Sequence, residues 1–458
     1  MLRRKVDKDL FELYWFYTTQ QKRLYNNSDG AASSQLQTLM AYSKKLAEVD
    51  HGSAWRNARL QNLSNLMQKR LKTLQNPANC TQARKLVCNL NKDCGFGCKM
   101  HYLIYCLIIA YGTERTMVIK LNVANSFHSS KNFVSAFLPL SESCTDLPSE
   151  VKPLTTIEES SNDQAIMLTP FHNDAGGGLR FLPPSFPKEW AADLIHLHGY
   201  PPVWFTGQFV SFIMRSSPQL GSRLTSKANV IGLGKEPIVG LHVRRTDKIG
   251  GEMKYRSIEE YMEWVDNWFA VESLKQGRQL KKRVFIATDD SSVVNETRKK
   301  YKDYEVFADL DVVAMADVDH RRLDESLFGV ISDVQILSKC DFVVCTFTSN
   351  MCRLVYELMQ ADGGDAASRV HSLDDIYYLI GQYEHQQEAI IAHTPRNENE
   401  LELQIGDVVA IQESDASNFI GQIKGKNSRT GKIGFYPNHK VKEKWRIEDF
   451  PLYPNVKL

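Results

Sequence analysis

Apolar positions near the start of the chain recur at helical spacing. Leu10, Leu13, Tyr17 and Leu24 form one stripe, Leu36, Leu39 and Leu46 a second, and Leu60, Leu63, Met67 and Leu74 a third. Steps of three or four residues put such side chains on one helix face. The runs Asn26-Asn27-Ser28-Asp29-Gly30 and Asp50-His51-Gly52-Ser53 separate the stripes and carry residues of helix ends and turns. Three helices are therefore predicted. Their a/d-like stripe needs a partner, either the body of the same chain or a second copy in a coiled coil.

The pattern is mixed from Cys80 to about Val230, with an apolar helix around 100–110, a strand at 117–121 and a polar loop at 145–164. After Pro237 it alternates: strand 238–243, helix 258–271, strand 283–287, helix 291–301, strand 304–307, helix 326–337, strand 342–345 and helix 350–359. Such βα alternation implies a parallel, doubly wound sheet, whose ligands sit at the carboxyl ends of the strands. Beyond Arg396 the spacing shortens to strands at 408–411, 419–423 and 430–437, the signature of a small barrel. This unit resembles an SH3 domain in its Gly434-Phe435-Tyr436-Pro437-Asn438 run. It lacks an evident acidic-aromatic first loop, so PxxP binding is not expected. Four regions result: helical 1–75, cysteine-rich α/β 76–230, Rossmann-type 231–385, and barrel plus tail 386–458.

Composition narrows the class. The 458 residues are 43% hydrophobic and 24% charged, enough for several globular cores and too balanced for a disordered or collagenous chain. Net charge is only +2, which removes the global cationic footprint of a nucleic-acid binder. The longest apolar stretch, 102–111, is about half of the roughly 20 residues a spanning helix needs. The basic start Arg3-Arg4-Lys5 runs straight into Asp7, Asp9 and Glu12, so no signal-peptide apolar region is expected.

Of 9 Cys, five fall at Cys80, Cys88, Cys94, Cys98 and Cys106, Cys144 follows, and Cys340, Cys345 and Cys352 form a second group. Cys94 and Cys98 suit either zinc or a tight disulfide; no second pair at finger spacing accompanies them. Sequons at Asn26, Asn62, Asn79 and Asn295 tip the reading toward disulfides in a secretory lumen. The odd total leaves at least one thiol unpaired.

Three strand exits carry candidate chemistry. His242-Val243-Arg244-Arg245-Thr246-Asp247-Lys248 leaves the first strand. Alternate side chains point oppositely, so one Arg reaches a ligand while the other braces, or both serve structural ion pairs. Ala287-Thr288-Asp289-Asp290 leaves the next, where an Asp accepts from a ribose or base, or Thr288 or Asp289 caps the following helix. Cys345-Thr346-Phe347-Thr348-Ser349-Asn350 closes a third strand and opens a helix whose free amides favour an anion. Ser349 is a ligand contact or an N-cap, and Cys345 with Cys352 suits a disulfide bracing that turn. Together the three exits favour a nucleoside-diphosphate site. Neither a P-loop nor a GxGxxG run is present, which weakens kinase-like and NAD-dependent readings. Asp309-Leu310-Asp311 and Asp317-Val318-Asp319 are D-x-D runs with metal-ligand chemistry, yet Arg244 is an alternative source of positive charge, and no metal or other cofactor is expected.

These motifs, with His371-Ser372-Leu373-Asp374-Asp375-Ile376-Tyr377-Tyr378, resemble the eukaryotic α1,6-fucosyltransferase family over about 76–444, and the N-terminal helices are similar to its coiled coil. The H-x-R-R-x-D core alone is shared with α1,2- and protein O-fucosyltransferases. The resemblance implies a GT-B-like α/β fold with a Rossmann-type domain, a coiled-coil region and an SH3-like barrel. It implies inverting, metal-free transfer of fucose from GDP-fucose to O6 of the innermost Asn-linked GlcNAc of N-glycoproteins bearing terminal GlcNAc. It also implies a homodimer through the N-terminal helices and a Golgi lumenal setting.

By the same resemblance Arg244 holds the β-phosphate, and His242, Thr288, Asp289, Asp333 and Ser349 line the GDP pocket. Glu252 and Lys248 activate the acceptor, with Arg244 completing the catalytic set. Asp247, Lys248, Glu252, Asp374, Asp375 and Lys92 contact the acceptor. The implied disulfides are Cys80 with Cys144, Cys88 with Cys106, Cys94 with Cys98 and Cys345 with Cys352, leaving Cys340 free.

Three departures stand out. Family members begin with a cytosolic tail and membrane anchor, absent from this chain, so either the sequence is partial or retention has another route. Segment 122–133 does not reproduce the aromatic-rich stretch that covers the nucleotide. Segment 413–418 differs from the loop that reaches the outer GlcNAc. Two other readings compete: a protein O-fucosyltransferase, opposed by the barrel and the 371–378 run, and a non-catalytic scaffold of SH3 module and coiled coil, opposed by the inferred lumenal setting.

Overall fold

The structure is a computed structural model and describes residues 2–25, 30–90, 94–120, 136–168, 180–246, 249–250, 253–316, 324–362, 364–377, 384–413 and 421–456. Lys92, Asp247, Lys248, Glu252, Tyr378 and segments 122–133, 317–319 and 414–418 lie outside them.

The three expected helices form: α1 (Leu2–Tyr25), α2 (Gly30–Val49) and α3 (Gly52–Gln75). Next come β1 (Lys85–Asn89), α4 (Phe96–Gly112), β2 (Thr116–Lys120), β3 (Lys152–Pro153), β4 (Ala165–Leu168) and β5 (Ser185–Pro187). Strands β1 to β4 make a parallel sheet in the order β2-β1-β4-β3. Helices α5 (Lys188–Leu197), α6 (Pro201–Ile213) and α7 (Pro218–Ile231) follow. Helix α6 carries no clean period, because nearly every position in it is buried and an all-round apolar helix shows no stripe.

The second α/β region runs β6 (Val239–Val243), α8 (Ile258–Gln276), β7 (Arg283–Thr288), α9 (Ser291–Lys300), β8 (Glu305–Phe307), α10 (Leu310–Met315), α11 (Asp324–Leu337), β9 (Phe342–Cys345), α12 (Asn350–Met359) and β10 (Val370–Ser372). The expected elements are all there, most within one or two residues at their starts; α8 runs five residues beyond its expected end. The parallel sheet has the order β10-β9-β6-β7-β8, so the winding reverses between β6 and β9. Its strands split alternate side chains between two cores. Val239, Leu241, Val284, Ile286, Phe342 and Val344 pack toward α8, while Phe285, Ala287, Val343 and Cys345 join the large core shared with α4, α6, α11 and α12. Both faces are thereby dry, as parallel sheets require. Ser257 and Glu260 form a capping box that starts α8, and Gly277 at φ 65° ends it.

The C-terminal unit has β11 (Gln386–Ala389), β12 (Val408–Glu413), β13 (Gln422–Asn427), β14 (Ile433–Pro437) and β15 (Val441–Glu443), an antiparallel sheet in the order β14-β13-β12-β11-β15. Its flanking strands β11 and β15 were not legible as strands. The tail then leaves this unit, because β16 (Arg446–Glu448) pairs with β5 and Phe450 and Tyr453 pack on Phe181 and Tyr111.

Helix α3 enters the main core through Leu60, Met67 and Leu71. Helices α1 and α2 dock on α8, where Trp15 stacks on Trp264 and Trp264 on His371. No helix among the described residues is long and apolar enough to cross a membrane.

One close approach fixes the join between α6 and α12: a Cβ on Gly207 would lie 2.3 Å from the Glu357 carbonyl oxygen. Gly207→Ala is expected to destabilise the protein by about 1–3 kcal/mol through overpacking. Gly221→Ala, in the exposed α7 with nothing within 4 Å of the new atom, should instead stabilise by roughly 0.5–1 kcal/mol. Chemical denaturation of both variants checks the pair, and equal effects would contradict the packing argument.

Candidate active site at the strand exits

The residues singled out by sequence gather where β6, β7, β9 and β10 end. Val243 lies opposite Thr288 across β6 and β7, Leu241 opposite Val344 across β6 and β9, and Cys345 opposite Ser372 across β9 and β10. The four exits are thus adjacent, and the crevice at the reversal of strand order falls between Arg244 and the turn before α12.

The two arginines divide their work. The Arg245 side chain is only 5% exposed; it donates to Glu296 at 3.0 Å and to the Arg256 carbonyl at 3.2 Å, and its guanidinium lies over the Tyr255 ring at 4.7 Å. It is the brace, held from α9 and from the loop before α8. Arg244 is partly exposed, with its Nε 3.4 Å from Asp289.

Asp289 holds the whole turn. Its carboxylate accepts from the amides of Arg245 at 2.8 Å and Thr246 at 3.3 Å, and from the Thr246 hydroxyl. Capping of α9 falls to Asp290, which accepts from Ser292 at 2.9 Å, and not to Thr288 or Asp289. The Thr288 hydroxyl accepts from the Asp290 amide at 3.1 Å. The two consecutive acids thus face opposite tasks, as period-two geometry dictates.

His242 is buried with an unpartnered Nδ1. Burial first, then the Arg244 charge, lowers its pKa to about 4, so it is a neutral imidazole with a hydrogen-bonding atom to offer. Ser349 occupies the N-cap of α12 yet makes no capping hydrogen bond, which leaves its hydroxyl to a ligand. Cys345 and Cys352 are disulfide-bonded across this turn, and Cys80–Cys144, Cys88–Cys106 and Cys94–Cys98 are the other bridges, with Cys340 free and buried. Asp374 accepts from Thr348, Ser372 and Asp375, and Asp375 accepts from Ile376 at 2.8 Å.

Asp333, on α11, belongs to a separate cluster. Lys227 lies 2.7 Å from Asp309 and 4.0 Å from Asp333, and one Asp333 carboxylate oxygen is buried without a hydrogen-bond partner. Burial raises its pKa to about 7, against the opposing pull of Lys227. Asp309, half of the first D-x-D run, caps α10 through the Val312 amide at 3.2 Å. Sequence reasoning gave no role to Lys227, Glu296 or Ser372, since each acts across an element boundary that only the fold closes.

A family profile described as alpha-(1,6)-fucosyltransferase N- and catalytic domains matches residues 1–378. An alpha-(1,6)-fucosyltransferase of Drosophila melanogaster is 37% identical over 99% of this chain and 74% of its own length. One of Caenorhabditis elegans is 38% identical over 97% and 78%. The solved fucosyltransferase NodZ from Bradyrhizobium is 17% identical, covering 60% of this chain and 92% of that one, with a TM-score of 0.31.

Asp333 gives a pH prediction that needs no ligand. Its carboxyl ionises near 3.8 when unfolded and near 7 when folded, so its contribution to stability is full below the lower value and lost as pH rises through the higher. Asp333→Asn, which cannot ionise, should therefore gain on the wild type from pH 4 to 7 and level off at about 4 kcal/mol, roughly three pKa units at about 1.4 kcal/mol each. Thermal melts across that range test it; a pH-independent difference would contradict it.

Proposed function

The chain belongs to the α-(1,6)-fucosyltransferase family, and from that premise we propose that it transfers L-fucose from GDP-fucose to O6 of the innermost Asn-linked GlcNAc of N-glycans. The observation that carries this reading is the crevice between β6 and β9. A cation, Arg244, stands at one exit, and a helix N-terminus with a free Ser349 hydroxyl stands at the other. That pairing suits a pyrophosphate whose charge grows as it leaves.

In this reading Arg244 holds the β-phosphate, the neutral His242 and Thr288 line the nucleotide pocket, and Asp289 keeps Arg244 in place. The unpartnered Asp333 oxygen accepts from guanine N–H groups. The acceptor O6 attacks C1 of fucose from the face opposite the phosphate, so the configuration inverts. The C1–O bond breaks with its electron pair passing to GDP, and the O6 proton passes to Glu252, oriented by Lys248. Asp247, Asp375 and Lys92 are assigned to the acceptor. Arg244 supplies the charge stabilisation, so we assign no metal or other cofactor to the reaction.

The finer architecture is read as GT-B-like: two parallel-sheet regions share one core, with an SH3-like barrel behind them. The barrel touches α1, where Asn438 donates to Glu12 at 2.6 Å, and we assign it to acceptor-side support instead of PxxP binding. A lumenal, Golgi setting is supported by the four disulfides, which need an oxidising compartment.

The N-terminal helices dock on the body of the same chain, and we assign a remaining apolar face to a second copy. One face docks on α8, and another leaves Leu39, Tyr42, Leu46 and Val49 exposed on α2 at steps of three and four, with Leu2, Val6, Leu13 and Phe16 exposed on α1. We assign this second face to a homodimer.

Mass spectrometry of an N-glycopeptide with terminal GlcNAc, incubated with GDP-fucose and EDTA, should show one added deoxyhexose on the innermost GlcNAc. Addition elsewhere, or on Ser or Thr, would overturn the acceptor assignment. Arg244→Ala should lower turnover by about 10²–10³-fold with an unchanged melting point. Leu46→Glu with Val49→Glu should convert a dimer to a monomer in light scattering, and an unaltered mass would place the interface elsewhere.

A further inference from the structure

Strands β7 and β10 flank the two central strands, and each sends an aspartate sideways onto its neighbour's exit. Asp289, just past β7, holds Arg244 to Thr246 after β6, as described above. Asp374, two residues past β10, does the equivalent for the turn after β9. Its carboxylate accepts from the Thr348 hydroxyl and from the Thr348 amide at 3.4 Å. Ser372 donates to it at 2.8 Å and the Asp375 amide at 2.6 Å. The Ser372 hydroxyl in turn accepts from the Phe347 amide at 2.9 Å, and the Leu373 amide donates to the Cys345 carbonyl at 2.9 Å.

An ionised carboxylate has room for about four hydrogen bonds. The Thr348 hydroxyl, the Thr348 amide, the Ser372 hydroxyl and the Asp375 amide already fill that capacity at Asp374. Nothing is left for the hydroxyl of a sugar acceptor without releasing the turn. Meanwhile the turn is the last segment before Ser349 and α12. Two of its amides point back to β10, which fixes where the Ser349 hydroxyl and the first helical amides face.

We propose that Asp374 is a positioning residue for the donor: it acts through Thr348 to set the phosphate-facing turn, and it does not contact the glycan. This rests on the reading of the crevice as a GDP-fucose site.

The test is a double-mutant cycle on GDP binding, measured by calorimetry without any acceptor, using the full chain and the variants Thr348→Val, Asp374→Asn and both together. Each single change should weaken GDP about tenfold, corresponding to about 1.4 kcal/mol, and the double change no more than either alone, since both break the same link. Thr348→Ser, which keeps the hydroxyl, should restore wild-type affinity. The KM for the glycopeptide should stay unchanged in Asp374→Asn, with KM for GDP-fucose raised.

Unchanged GDP affinity with a raised glycopeptide KM would overturn the proposal in favour of direct acceptor contact. Additive losses would overturn it by showing that Asp374 does not act through Thr348. If Asp374→Asn does not fold, the contrast between Thr348→Val and Thr348→Ser decides: equal affinities overturn the proposal. A wild-type chain that binds no GDP at all fails the donor reading itself, which is a distinct result.

Discussion

A parallel sheet covered on both faces leaves polar chemistry one outlet, the carboxyl ends of its strands. Here the constraint is strict: every residue of β6, β7 and β9 is buried, and helices seal both sides. Polar side chains that the backbone carries into this region therefore collect at the exits, and the reversal of winding between β6 and β9 opens the gap that receives them. The position of the candidate site follows from burial before any catalytic residue is considered.

What the exits need is order, since a loop leaving a sheet has unpaired amides and no regular partner. The chain meets that need with acids taken from neighbouring strands. Asp289 and Asp374 each absorb amides and a hydroxyl of the adjacent turn, and Arg245 pins the first turn from behind. At these exits the His242 Nδ1 and the Thr346 Oγ1 are buried without a hydrogen-bond partner, and the Ser349 hydroxyl makes no capping hydrogen bond. Structural and chemical roles are thus divided between adjacent residues of one motif.

The same economy joins the regions. In the main core His101 reaches from α4 to Glu357 at 3.2 Å, and Tyr377, just beyond β10, donates to the same carboxylate at 2.8 Å. Gly97 at the start of α4 sits so close to Asn350 that a Cβ would lie 2.7 Å from its Cβ. The cysteine-rich region is therefore set directly against the helix that begins at the candidate phosphate site. On the other side Trp15, Trp264 and His371 stack in series, so the N-terminal helices bear on β10, the strand that precedes Asp374. His371 is kept neutral by burial, its pKa lowered to about 3, and serves as a flat packing surface there.

The sequence by itself determined the Rossmann-type region, because each of its strands is a short apolar run and each helix carries a stripe or a cap, signals that are local. It also pointed to the strand exits as the place for candidate chemistry and set Arg244 and Arg245 on opposite sides, since alternation along a strand is a property of the backbone. It could not assign α6, where burial on all sides erases periodicity, nor the strands β11 and β15, which are completed only by pairing with partners far along the chain. Nor could it tell which acid holds which turn. Asp289, Asp290 and Asp374 all look alike as residues next to a strand end, and only the tertiary structure decided their partners, because a carboxylate's work is set by the donors that folding brings within about 3 Å of it.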